Sequence, residues 1–257
     1  MPNQSSPDHL SIRDIIVNTK INRTRPLIQA AVFERLLRNQ TVNFLVHHKT
    51  IKPNRIFCIG KNYDKHIKEL GGTQVPQEPV VFMKPLCSIV SPGNICPPPY
   101  GNELHHEVEV VLLIGKEGKD IPESQALGHI SDITLGLDLT LRDIQKQLKL
   151  KGLPWERAKS FEESAPLGIF KKYHDIDLGN LTFSCSVNGD LRQNGNTEEM
   201  IFPVAKLISI LSNWWTLKPG DIIYTGTPAG VGPLKPGDRI VVESPKIGSF
   251  SWSLSYQ

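Results

Sequence analysis

The order of apolar and polar positions divides the chain into many short strands and fewer helices. Ile56 to Gly60 (IFCIG) and PVVFMKP (79–85) are apolar runs of strand length bounded by turn-forming residues. Between them NYDKHIKELGG (62–72) reads as a helix, with Asn62 placed to cap its start and Gly71 or Gly72 to end it. SPGNICPPPYGN (91–102) is a Pro/Gly-rich connection. LHHEVEVVLLIG (104–115) predicts a strand, followed by a short helix near 122–129. Ile133 to Leu139 is a further strand with Asp138 at its end. TLRDIQKQLKLKG (140–152) predicts a helix capped by Thr140, with Asp143 at the capping-box position and Gly152 as its stop. LTFSCSVNGDLRQ (181–193) carries Asn-Gly between alternating runs, a hairpin signal. PVAKLISILSNW (203–214) is an amphipathic helix with Val204, Leu207, Ile208 and Leu211 on one face. DIIYTGTP and DRIVVE are late strands joined by a Gly/Pro-rich loop. The strands outnumber the helices and do not alternate with them, which argues against a doubly wound sheet.

The N-terminal part has a different character. Residues 1–10 are polar and expected to be disordered. A helix is expected near 29–38, and AVFERLLRNQTVNFLV (31–46) reads as an amphipathic helix packing on the main domain. Residues 1–52 carry 8 Lys/Arg against 3 Asp/Glu, so the rest of a chain with net charge +3 is slightly acidic. An Arg-containing, acid-poor start is loosely like an organellar transit segment, but Asp8, Asp14 and Glu34 interrupt it. The division expected is an extension over 1–52 and a catalytic domain over 53–257.

Composition excludes little. At 257 residues, 39% hydrophobic and 21% charged, the chain is long enough for a substantial core. No apolar run approaches the roughly 18 residues of a membrane helix, so no membrane span is expected. The small net charge gives no reason to expect a nucleic-acid partner. Cys58, Cys87, Cys96 and Cys185 are scattered without a C-x-x-C pair, which suits reduced thiols in a cytoplasmic protein. There is no G-x-S-x-G elbow, P-loop or G-x-G-x-x-G fingerprint.

The candidate chemistry lies in three carboxylates. Glu107 and Glu109 are two apart in a strand and share a face, while Val108, Val110 and Leu112 point the other way. An acidic pair on an exposed strand face would simply be solvated. In this apolar context, with Asp138 ending a second strand, a divalent cation is the simplest compensation. Three hard oxygens suit Mg²⁺, Ca²⁺ or Mn²⁺. His66 and Glu69 are three apart on their helix, either as a surface pair or as a carboxylate-oriented general base. Arg142 and Gln145 follow Asp138 by four and seven, on one face, and could contact a substrate's carboxylate and distal carbonyl. His105 shares the face of Glu107 but is expected beside the metal rather than on it, because Mg²⁺ prefers oxygen. The turn from Thr227 to Gly232 could present backbone N–H groups to an anion or serve only as a turn.

IGKNYDKHIKELG, VVFMKP, LHHEVEVVLLIGK, LGLDLTLRDIQ, GLPWERAKSF and DIIYTGTPAGVGP occur here in that order. Together, over about residues 54–245, they resemble the fumarylacetoacetate hydrolase family, most of all its small acylpyruvase and oxaloacetate decarboxylase branch. The resemblance implies a β-rich α+β fold, a mixed β-roll with peripheral helices, and a homodimer. It implies Glu107, Glu109 and Asp138 as ligands of Mg²⁺ (or Mn²⁺), and His66 with Glu69 as a base on a lid helix. Lys159 falls at the active-site lysine, Arg142, Gln145 and Thr227 become substrate-binding residues, and Lys84 supports the metal site. The activity implied is hydrolysis of the C–C bond of small 2,4-dioxo acids such as acylpyruvates. The alternative is oxaloacetate decarboxylation or keto–enol isomerisation at the same site. A degenerate metal-binding scaffold is a third possibility, against which stands the presence of every expected catalytic residue.

Overall fold

The computed structural model describes residues 44–46, 49–174 and 176–255. The polar segment 1–10 and the helix expected near 29–38 lie outside the described residues, as does most of the extension 1–52. The chain enters as a hairpin of β1 (Phe44–Val46) and β2 (Lys49–Ile51). This corrects the amphipathic stretch read through residue 46: its end is extended, as aromatic and β-branched residues favour.

β3 (Ile56–Gly60), α1 (Asp64–Glu69), β4 (Val80–Lys84), β5 (Ile89–Val90) and β6 (Gly93–Ile95) follow. Next come β7 (Leu104–His106), β8 (Val108–Ile114), α2 (Glu123–Ala126), β9 (Ile130–Leu137), β10 (Thr140–Leu141), α3 (Arg142–Leu150) and α4 (Glu156–Lys159). The last part holds β11 (Ala165–Pro166), β12 (Lys171–Lys172), β13 (Thr182–Val187), β14 (Asp190–Asn196), α5 (Val204–Trp214), β15 (Ile222–Tyr224), β16 (Gly232–Pro233), β17 (Arg239–Ser244) and β18 (Gly248–Leu254). None of the described helices is long and apolar enough to cross a membrane.

Two mixed sheets dominate. One has six strands in the order β12-β9-β8-β15-β3-β4, with β15 parallel to β3 and antiparallel to β8. The other has five, β14-β13-β17-β18-β6, with β18 parallel to β6. This is the β-rich α+β fold expected. The hairpin turn between β13 and β14 places Asn188 at φ 55° and Gly189 at φ 89°, the left-handed pair a two-residue type I′ turn requires. On α5, Val204, Leu207, Ile208 and Leu211 are all buried in the larger core.

β8 is buried on both faces. Val108, Val110, Leu112 and Ile114 enter the larger core beside Leu135 and Leu137. Val111 and Leu113, on the face shared with Glu109, enter a second core with Ile56, Cys58, Ile222 and Tyr224. The two acids therefore sit at the end of an apolar layer, not on a wet surface.

Both expected N-caps are corrected. Asn62 does not cap α1. Fully buried, it donates to Phe202 O (3.1 Å) and Thr225 O (2.8 Å) and accepts from Phe202 N (2.8 Å). α3 starts at Arg142 without a side-chain cap; Thr140 lies in β10, its hydroxyl donating to Asp138 O (3.1 Å), and Asp143 accepts from Asn102 N (2.9 Å). In both cases tertiary partners outweigh a local cap, because a buried polar group must be satisfied wherever a partner stands. The glycine stops hold: Gly71 and Gly152 have φ of 76° and 64°.

Candidate metal centre

Strand pairing assembles the three acids. Glu107 occupies the one-residue break between β7 and β8, Glu109 is the second residue of β8, and Asp138 directly follows β9. The register places Val108 opposite Leu137 and Glu109 opposite Gly136, and Asp138 N donates to Glu107 O (2.9 Å). A carboxylate oxygen from each acid lies within 4.8 Å of the others, and their exposures are 4%, 1% and 2%.

Three buried carboxylates this close require positive charge. Lys159 Nζ stands 2.8 Å from Glu107 Oε2 and 2.6 Å from Asp138 Oδ2. Arg142 pairs with Glu107 Oε1. Lys84 Nζ lies 2.8 Å from Asp138 Oδ1 as an ion pair, but outside hydrogen-bond alignment. Among the described residues Glu109 has no paired cation and accepts only from Gly226 N (2.7 Å). The consequences differ. Burial alone would raise the Glu107 carboxyl, but Lys159 and Arg142 hold it well below the ordinary carboxylate value. Burial pushes Glu109 well above that value, and Asp138 adds to the shift. Lys159 loses solvent but gains Asp138 and Glu107, and is raised.

This donor set fits a divalent cation. Among the described residues Asp138 Oδ1 is a buried oxygen with no hydrogen bond, Glu109 is a buried acid with no ion pair, and all three residues offer hard oxygen.

The other walls of the cleft come from α1, α3 and the Thr227–Gly232 loop. His66 is 6% exposed, with Nδ1 3.4 Å from Glu69 Oε2. Burial lowers its pKa, against the pull of Glu107 and Glu69, so the ring is neutral at physiological pH. A proton held on Nδ1 by Glu69 leaves Nε2 as acceptor. Glu69 stands behind His66 and takes Gly230 N at 3.0 and 3.2 Å, so the anion met by that loop's backbone is Glu69. Arg142 and Gln145 line the cleft, joined by Arg142 Nη1 to Gln145 Oε1 (2.7 Å). Thr227 lines it too; its hydroxyl donates to Val108 O (2.8 Å) and accepts from Gln193 Nε2 (2.8 Å). His105 stands behind Arg142, accepting from its Nε at 3.4 Å, with a pKa pushed down to about 4 by burial and then Arg142.

Several contributors escaped the sequence reading. Lys61, Lys149, Phe82 and Trp155 also line the cleft. Lys149 continues the Arg142–Gln145 stripe by four residues, a helical signal that was present but unused. Gln193, buried, accepts from His106 Nδ1 (2.9 Å) and Val108 N (3.0 Å) and so ties β7 and β8 to the loop; nothing local marks it. Gly226 is at φ +101°, where a Cβ would come within 2.6 Å of Asn62 Cβ. Gly226→Ala is expected to cost about 1–3 kcal/mol of stability and to weaken metal binding by displacing the N–H that holds Glu109. Thermal unfolding and a Mn²⁺ titration check this; parental values in both would show that the turn adapts freely.

Residues 55–254 match the family pattern described as fumarylacetoacetate (FAA) hydrolase, C-terminal. An oxaloacetate tautomerase of Escherichia coli is 45% identical over 194 residues, spanning 74% of this chain and 87% of its own length. A mitochondrial oxaloacetate tautomerase of Mus musculus is 46% identical over 187 residues, spanning 72% and 84%. Among solved structures, fumarylpyruvate hydrolase from Pseudomonas aeruginosa, in complex with Mn²⁺ and pyruvate, superposes with a TM-score of 0.81 at 33% identity. That match covers 84% of this chain and 97% of the other.

Proposed function

This chain belongs to the fumarylacetoacetate hydrolase family, an enzyme family, and from that premise we propose that it interconverts the enol and keto forms of oxaloacetate at a divalent metal. One observation carries the reading: Glu107, Glu109 and a neutral, carboxylate-backed imidazole line a single cleft, with Asp138 clustered against the two acids. The two tautomerases of nearly half-identical sequence support the choice of reaction.

Glu107, Glu109 and Asp138 would hold Mg²⁺ or Mn²⁺, which when bound supplies Lewis-acid stabilisation of negative charge on a 2-oxo oxygen. The rest falls to the chain's own groups. Tautomerisation breaks the O–H bond on C2 as a C–H bond forms at C3, so a nearby group must hold the proton between the two. His66 Nε2 is free to accept it, and Glu69 favours the tautomer that can do so. The ammonium of Lys159 offsets charge developing on the substrate. Arg142 and Gln145 lie along the wall where they orient a carboxylate. No water is consumed.

A second reading has its own support. The Pseudomonas structure is a fumarylpyruvate hydrolase, and the same imidazole could take a proton from water attacking the C4 carbonyl of a 2,4-dioxo acid. Mn²⁺- and Mg²⁺-loaded protein should be given oxaloacetate, acetylpyruvate and fumarylpyruvate. Loss of the enol absorbance, exchange of the C3 protons in D₂O, and pyruvate release are then followed. Acceleration of enol loss and C3 exchange without pyruvate release is expected. Pyruvate release from the dioxo acids with unaccelerated tautomerisation would replace the first reading by the second.

A further inference from the structure

We propose that Lys149 and Lys61 form a second anion subsite at the mouth of the cleft, which takes the distal carboxylate of a dicarboxylic 2-oxo acid. The inference rests on the reading of this cleft as a 2-oxo acid site and adds which such acids it selects.

The first ground is charge pairing. The inner cations Lys84, Arg142 and Lys159 all face the acids of the cluster. Lys149 and Lys61 line the same cleft, yet neither has an acidic partner among the described residues. Other surface lysines do: Lys65 meets Glu199, Lys68 meets Asp64, and Lys146, on the same helix as Lys149, meets Glu103. The cleft thus holds two cations that the ion pairs leave without an acid among the described residues.

The second ground is placement. Arg142, Gln145 and Lys149 stand at i, i+3 and i+7 on α3, one stripe facing the cleft. Lys149 lies about 10 Å farther along the axis than Arg142, at a rise of ~1.5 Å per residue. Its side chain is exposed overall, but its ammonium rests over the Trp155 ring at 5.0 Å, partly screened from water. That shielding, then Arg142, Lys61 and Lys159, lowers its pKa, so an arriving anion would relieve repulsion as well as form a pair. Lys61 follows β3 at φ 59°, a left-handed setting costing about 1–2 kcal/mol for an L-residue. The buried Asn62 next to it holds that turn. With a divalent cation among three acids, and with two inner lysines and one arginine, the cleft carries excess positive charge before Lys61 and Lys149 are counted. Such a field favours a dianion over a monoanion.

The test compares 2-oxoglutarate with 2-oxovalerate, which differ by a distal carboxylate in place of a methyl group. Calorimetry on Mn²⁺-loaded protein gives the ratio of their affinities. The parent should favour the diacid by roughly tenfold or more, as a partly exposed charged hydrogen bond allows. Lys149→Met, which keeps contact with Trp155, should cut the ratio by roughly fivefold. Lys149→Glu should invert it, and Lys61→Met should lower it further when combined with Lys149→Met. Lys146→Met, already partnered by Glu103, should leave the ratio unchanged. A parental ratio near one, or an unchanged ratio in the Lys61–Lys149 double variant, overturns the subsite while leaving the 2-oxo acid reading intact. If neither acid binds the Mn²⁺-loaded protein, that reading falls and the subsite falls with it.

Discussion

Glu109→Gln is expected to abolish binding of Mn²⁺ and Mg²⁺ while leaving the metal-free protein as stable as its parent or more so. Glu107→Gln should abolish binding equally and destabilise the metal-free protein by about 3–5 kcal/mol. The contrast follows from which acid owns the cations. Glu107 is held by Lys159 and Arg142, so its removal leaves two buried positive charges short of a partner. Among the described residues Glu109 has only the Gly226 N–H, which an amide oxygen can accept equally well. Its carboxyl is raised by burial and by Asp138. A raised folded-state value means that this acid favours folding at low pH and opposes it as pH climbs past the ordinary carboxylate value of 4.5. Metal-free protein should therefore lose stability with rising pH above that point, and Glu109→Gln should flatten the loss. Glu107, being depressed, works the other way: its contribution disappears as pH falls below 4.5. Thermal unfolding in EDTA across pH, beside metal titrations of both variants, measures all of this. Parental Mn²⁺ affinity in Glu109→Gln would end the three-acid metal site.

The reason Glu107 and Glu109 stand out as an acidic pair in the sequence is local. A spacing of two puts both on one face of a strand whose other positions are apolar, and no local cation accompanies them. The Asn188–Gly189 turn and the apolar stripe of α5 were legible for the same reason, since each is specified within a few residues. What the sequence withheld is set by contacts far along the chain. The second apolar layer of β8 comes from Ile56, Ile222 and Tyr224 on other strands, and nothing within 104–115 names them. Asn62 and Thr140 looked like helix caps because capping is the local use of those side chains, but burial assigned them to Thr225 and Asp138 instead. The distribution of cations among the acids was illegible too. Lys159 reaches Glu107 across 52 positions, and no pattern in the chain says that Glu109 is the acid left over.

His66→Ala is expected to lower turnover by roughly 10²–10⁴, the usual worth of a positioned proton carrier, with Mn²⁺ affinity within a few-fold of the parent. The ring is not among the metal's candidate ligands, so losing it removes proton transfer rather than the centre. The pH profile identifies it more firmly than the loss of rate. Burial lowers the His66 pKa from its ordinary value of 6.5, so the acidic limb of kcat/KM should fall below pH 6.5, where the folded ring takes up its proton. Stability follows the same sign: the folded state prefers the neutral ring, so this contribution is full above 6.5 and is lost as pH drops through the lowered value. Glu69 pulls the other way, raising the imidazole through their contact. Glu69→Gln keeps an oxygen for Gly230 N but removes that charge. It should move the acidic limb to still lower pH and reduce turnover less than His66→Ala does. A limb that stays in place would mean that some other group carries the proton, and a His66→Ala variant with parental turnover would leave the pair a contact with no part in the reaction.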